Sequence, residues 1–165
     1  FLSVIIVSKT EKEIKKMRER LFRGKRIDNS GWTEGYLFKI WNRTFLLWGM
    51  TGDVPNMVEV IPETVGQFTG LPDKNCKKIF EGDIIKAYFR PQIFKNPPYA
   101  IGSVIFENGT FKVVVHISKN SIEYKVFEKE DIAAYSIERN FLDRYYVLEV
   151  IGNIYDNPEL LEVKK

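Results

Sequence analysis

Residues 100–117 read A-I-G-S-V-I-F-E-N-G-T-F-K-V-V-V-H-I. Two runs rich in β-branched and aromatic residues flank Asn108-Gly109, the pair best suited to the positive φ angles of a type I′ turn. Ala100 to Glu107 and Thr110 to Ile117 are therefore predicted to be the arms of a β-hairpin. In the second arm Phe111, Val113, Val115 and Ile117 alternate with Lys112, Val114 and His116, so one face is expected to be core.

The same pattern extends outward in both directions. Ile84 to Phe89 is predicted as a strand entered by a turn at Glu81-Gly82-Asp83. Ser121 to Phe127 reads as another strand, Glu128 to Tyr135 as an acid-rich turn or short helix, and Arg144 to Ile151 as a strong final strand. A helical turn starting at Pro158 closes the chain. Toward the N-terminus, Leu21 to Ile27 and Trp32 to Trp41 are predicted strands around Asp28-Asn29-Ser30-Gly31, a sequence of turn formers. Thr44 to Trp48 returns, Gly49 to Asn56 reads as loop because of Gly52, Asp53 and Pro55, and Val58 to Ile61 is a brief strand. Pro62 to Thr69 is the best helical segment, with Pro62 suited to the first helical position, Glu63 to the positive end and Gly70 to the residue after the last turn. Short strands joined by tight turns imply a mainly β fold: an N-terminal β meander with a short helix, then a small closed or nearly closed barrel. The division expected is residues 17–75 and 76–165.

Bulk properties agree with a β-rich domain. The chain has 165 residues, 44% apolar and 28% charged, which suits one domain or two small ones and favours neither disorder nor a membrane class. Aromatic residues reach 14%, an enrichment that fits pleated, half-buried surfaces. No apolar run approaches the ~20 residues needed to cross a bilayer. The single cysteine, Cys76, excludes an intrachain disulfide, and a reducing bacterial cytoplasm is the simplest home. The net charge of +3 is unevenly placed, with nine Lys or Arg against three Glu between Lys9 and Arg26.

Residues 1–16 differ in character from the rest, being an apolar septet and then a charged stretch. Lys12-Glu13 has the coding potential of a ribosome-binding purine run, suitably spaced from Met17. Residues 1–16 are accordingly expected to be leader or extension, with the protein proper starting at Met17.

Chemistry-bearing patterns are sparse. His116 is the only histidine, and its alternation with Lys112 places it at the surface. Cys76 lacks a second thiol or an adjacent base. Asp73-Lys74-Asn75 is not a calcium loop, because Ile84 stands where a bidentate Glu is needed. Gly24-Lys25-Arg26 lacks the Ser or Thr of a phosphate-binding loop. No catalytic, metal or cofactor site is expected, and Glu128, Glu130 and Asp131 read as an exposed acidic turn. Trp32, Tyr36, Phe38, Trp41, Phe45 and Trp48 form an aromatic series. Core packing is the simplest account of most of them; the alternative is a stacking platform for bases beside Arg23, Lys25 and Arg26. Tyr88-Phe89-Arg90, at a strand end, is a second candidate contact surface.

Three stretches carry a resemblance. They are Phe22-Arg23-Gly24-Lys25-Arg26 with Gly31-Trp32 and Gly35-Tyr36; V-I-P-E-T-V-G-Q-F-T-G-L of residues 60–71 running into Glu81-Gly82-Asp83-Ile84; and E-V-I-G-N-I-Y-D-N-P-E-L-L of residues 149–161. Together they resemble the YopX-like family of bacteriophage and prophage proteins, across essentially everything from Met17 onward. The resemblance implies an N-terminal β region, a C-terminal domain similar to an SH3-type barrel, and no settled activity. Where the family usually has Gly after the Asp-Lys-Asn turn, Cys76 stands here, and a side chain resists the positive φ such a turn requires.

Two functions are expected from these features. The first is a non-catalytic phage accessory protein that binds a host or phage protein and self-associates. The alternative is a nucleic-acid-binding module in which Arg23, Lys25 and Arg26 meet phosphates and exposed aromatics stack on bases.

Overall fold

The computed structural model describes residues 20–89, 95–119, 134–136 and 146–162. The chain is mainly β, in two antiparallel sheets. The first is built from β1 (Phe22–Lys25), β2 (Trp32–Ile40), β3 (Arg43–Thr51), β4 (Val54–Glu59), β5 (Gly66–Pro72) and β6 (Lys78–Phe80), in the order β4-β3-β2-β1-β5-β6. The second contains β7 (Asp83–Phe89), β8 (Tyr99–Glu107), β9 (Thr110–Lys119), β10 (Ala134–Ser136) and β11 (Tyr146–Asn153), in the order β10-β9-β8-β7-β11. No helix among the described residues is long and apolar enough to cross a membrane.

The hairpin at Asn108-Gly109 forms as predicted, with φ of 52° and 78° at the two turn residues and Glu107 opposite Thr110. Phe111 and Val113 are buried on the core face. The alternation then breaks: Gly102 faces Val115 but Ile101 faces Ile117, so His116 is an extra residue in β9. Such a bulge reorients the strand beyond it, and Ile117 leaves the core face on which alternation alone had placed it. Where a closed or nearly closed barrel was expected there is a five-stranded sheet, and its end strands β10 and β11 do not pair with each other among the described residues. The predicted strand at 121–127 and the expected leader at 1–16 lie outside the described residues, as does the acid-rich turn or short helix predicted over Glu128 to Tyr135 as far as residue 133. Its last two residues, Ala134 and Tyr135, are instead in strand β10, paired with Val114 and Val113 of β9.

In the first sheet the turn after β1 is held by Asp28, whose Oδ1 accepts from the Ser30 N–H at 2.9 Å and from the Ser30 hydroxyl at 2.7 Å. Two expectations need correction. The loop predicted over Gly49 to Asn56 is a second hairpin, because β3 runs on to Thr51 and β4 begins at Val54. Pro55, which argued for loop, is tolerated since β4 ends the sheet and Pro lacks only a donor that an edge strand does not need. The helix predicted over Pro62 to Thr69 is one 3₁₀ turn, Pro62–Thr64, which leads into β5. An isolated two-turn helix is marginal. Here Gln67 faces Phe22 across one edge of β5 and Phe68 faces Phe80 across the other, so the extended form satisfies both sides.

The first sheet also curls back on itself. The Ile27 N–H donates to Glu59 O at 3.2 Å and the Ile61 N–H to Lys25 O at 2.8 Å, joining the end of β4 to β1. Beyond this closure β2, β3 and β4 project as a three-stranded meander. The change of sheet falls at Glu81-Gly82, and the core is shared across it: Ile79 of β6 packs with Ile85, Val104, Phe111, Val113 and Leu148 of the second sheet.

Asp73, between β5 and β6, ties the sheets together. Its carboxylate accepts N–H donors from Asn75 at 2.7 Å, Lys77 at 2.9 Å and Val150 of β11 at 3.1 Å. Burial works to raise this carboxyl, but the three donors outweigh it and hold the group below its ordinary value. The turn they shape puts Cys76 at φ 62°, the strained geometry anticipated from the missing glycine. Left-handed backbone costs a side-chain-bearing residue ~1–2 kcal/mol, offset in part by the greater freedom of Gly when unfolded. Cys76→Gly is therefore expected to stabilise the protein by about 0.5–1 kcal/mol, measured by urea unfolding; a loss of stability would contradict the strain.

Candidate functional site

The three basic residues singled out, Arg23 and Lys25 on β1 and Arg26 just after it, are each engaged by a carboxylate. The Arg23 guanidinium lies 4.8 Å from the ring centres of both Trp32 and Phe80, and its Nη2 donates to Asp83 Oδ1 at 2.6 Å. Its Nε is buried without a hydrogen-bond partner among the described residues. Asp83 is fully buried, and its other oxygen accepts the Phe80 N–H at 2.8 Å. Burial pushes the Asp83 carboxyl up, an effect that Arg23 and the Phe80 N–H offset only in part. Lys25 pairs with Asp156 at 3.0 Å, and the same carboxylate accepts the Trp32 indole N–H at 2.6 Å and the Asn153 amide at 3.0 Å. These donors lower Asp156 to about 2, Asn153 contributing most. Arg26 forms a two-pronged pair with Asp28, at 3.2 and 2.7 Å. Tyr155 completes the seam, its hydroxyl donating to Glu63 O at 2.5 Å. The stretches that carry the family resemblance thus converge on one structural joint between β1, the β6–β7 turn and the C-terminal segment.

The second candidate surface is also internally bonded. Tyr88 is half-buried and donates its hydroxyl to Glu149 at 3.0 Å. Lys74 bridges the same Glu149 at 2.8 Å, and Lys86 lies 3.9 Å from the ring centre of Tyr99 and 4.9 Å from that of Tyr88. Phe89 is half-buried at the end of β7, its N–H donating to Pro98 O at 2.9 Å. Arg90 lies outside the described residues. His116 is exposed, its Nε2 3.1 Å from the Ser103 hydroxyl. Among the described residues no three His, Cys, Asp or Glu side chains gather closely enough to hold a metal ion.

The aromatic series behaves differently from the core reading given to most of it. Phe45 is buried, but Tyr36, Phe38, Trp41 and Trp48 are exposed, Trp41 by 90%. Register explains the surface they make. Tyr36 faces Leu47, Phe38 faces Phe45, Leu47 faces Met57, and Met50 faces Pro55. Directly paired residues share a face, so Tyr36, Phe38, Ile40, Met50 and Met57 stand together on one side of the meander. Their exposures are 56, 44, 38, 59 and 54%. Arg43, opposite Ile40, and Glu59, opposite Phe45, share that side and form a two-pronged ion pair with each other. At the β2–β3 tip Trp41 adopts φ 50°, a left-handed geometry that is a true outlier for a bulky residue. Period-two alternation over Tyr36, Phe38 and Ile40 was the signal available in the sequence; what it could not show was which face the rest of the chain leaves open.

The molecule is thus a two-sheet, mainly β protein whose described residues include an exposed apolar strand face. Residues 8–162 match the YopX protein family, and the chain belongs to that family. No curated protein matches it. Among solved structures, protein EF1440 from Enterococcus faecalis is similar at 20% identity and a TM-score of 0.44, over 87% of this chain and 97% of the other.

Proposed function

We propose that this is a phage-type accessory protein that acts in the bacterial cytoplasm by binding a host or phage protein, without catalysis, through the β2–β4 meander. The observation that carries the reading is Trp41: the most exposed of the large apolar side chains among the described residues, held in a backbone geometry that only Gly adopts without cost. Strained, solvent-facing aromatics are retained where they do something for function, and Trp is the commonest anchor of protein interfaces. Nucleic-acid binding has less support, because Arg23, Lys25 and Arg26 are each neutralised within the fold, whereas phosphate contact needs cations free to displace counterions.

Trp41→Gly separates binding from folding. Relief of ~1–2 kcal/mol of left-handed strain is offset by the entropy of an added Gly, so Tm is expected to hold or rise. Capture of a partner from host or infected-cell lysate is expected to fall at least tenfold. Equal capture by both proteins would overturn the assignment of Trp41.

A further inference from the structure

We infer that the exposed apolar face of the meander, formed by Tyr36, Phe38, Ile40, Met50 and Met57, is the interface of a homodimer. This builds on the proposed function, which makes the meander the contact region, and names what lies against its broad side.

Five side chains at about half exposure offer ~100 Å² each, hence ~500 Å² per copy and ~1,000 Å² for a pair, which reaches the size at which a contact becomes specific. Backbone and the flanking Trp48, itself 40% exposed, add to that figure. A patch of this extent lies at the upper end of what monomers leave in water.

Composition then selects the partner. Interfaces between unlike proteins that come and go are about as polar as ordinary surface, while homodimer interfaces are more apolar and depleted in charge. This face is aromatic, Ile and Met, with Arg43 and Glu59 already satisfied by each other. Two copies therefore meet without like-charge repulsion, even though the chain carries a net charge of +3. An unlike partner would be selected by charge, and this face offers no net charge to read.

Geometry points the same way. A strand face with alternate apolar side chains packs best on another such face, at ~10 Å separation. The chain's own second sheet is not available for that role, since Ile85, Val104 and Leu148 already pack on Ile79. A two-fold axis through the patch supplies the matching face from an identical chain. Joining edge to edge through β4 is disfavoured by Pro55, which has no N–H to donate, and by Glu59, whose carbonyl is taken by Ile27.

Sedimentation velocity on the full chain tests this across a wide concentration range. The wild type is expected to approach twice the 19.3 kDa chain mass, and Phe38→Asp and Met57→Asp are each expected to sediment as monomers with unchanged far-UV circular dichroism. Ile27→Asp, a comparable change outside the patch, should remain dimeric and controls for general surface effects. Trp41→Gly should also remain dimeric. A wild type that is monomeric throughout, or a dimer that survives both Phe38→Asp and Met57→Asp, overturns the inference. A monomeric wild type that still captures a partner through Trp41 leaves the proposed function standing. A dimer with Trp41-independent capture does the reverse.

Discussion

Arg23→Ala is expected to lower stability by about 3–5 kcal/mol and Tm by roughly 10 °C, the scale of breaking a buried ion pair in a chain of this length. The loss exceeds that of a single contact because Asp83 is left fully buried with the Phe80 N–H as its remaining hydrogen-bond donor among the described residues, and because the rings of Trp32 and Phe80 lose the cation between them. The effect depends on pH in a definite sense. Burial already holds the Asp83 carboxyl above its ordinary value. A group raised on folding contributes most below its unfolded pKa, ~4 for Asp, and its contribution is lost as pH rises through the folded value. Removing Arg23 deletes the main opposing charge and raises the folded value further. The variant should therefore be closest to wild type near pH ~4 and fall behind as pH approaches ~7. Thermal unfolding of both proteins at the two pH values checks this; an equal deficit at both would show that Asp83 does not carry the cost.

Gly66→Ala is expected to destabilise by about 3 kcal/mol, the upper part of the range for forcing a methyl into packed structure. A Cβ built on Gly66 would sit 2.2 Å from the Glu81 carbonyl oxygen and 3.0 Å from its carbon. The obstacle is backbone, and it cannot yield by a rotamer change. It lies at the β6–β7 turn, where the Glu81 N–H donates to Gln67 O at 2.9 Å. The sign of the effect also discriminates between conformations. In a helix over 62–69, Ala in place of Gly would add about 1 kcal/mol of stability. Chemical denaturation showing a gain would restore the helix and remove β5.

The parts of the fold that sequence made legible are those where one local rule suffices. Asn108-Gly109 between alternating runs specifies a hairpin through turn geometry alone, and Pro158 opens the 3₁₀ turn through Leu161 as predicted. Where a residue obeys two rules at once, long-range pairing decides. Pro62, Glu63 and Gly70 are good helix boundaries, yet Gly66 is there to let another backbone approach, and no local pattern reveals that. Pro55 reads as a loop marker until β4 is known to lie at an edge. The bulge at His116 comes from the register of β8 against β9, which alternation within β9 alone cannot supply.

The candidate surface was legible by residue type and misread by environment. Arg23 and Lys25 suggested phosphate contact because their partners, Asp83 and Asp156, lie 60 and 131 residues away in the chain. Tyr36, Phe38 and Trp41 suggested core because aromatics usually are, and nothing local distinguishes a strand whose far side is covered from one that projects past the closure of its sheet. The sequence resemblance concentrates on the joint around Arg23, Asp83 and Asp156, and the exposed meander lies mostly between its stretches.

Hydroxyl-radical footprinting tests the interaction face most directly, since Met and aromatic side chains in water oxidise readily. Compared between dilute protein and protein that is concentrated or mixed with host lysate, labelling of Phe38, Met50 and Met57 should drop several-fold, while Phe106 and Tyr155, exposed elsewhere, stay constant. Labelling of the three that is the same under every condition would mean that nothing covers this face.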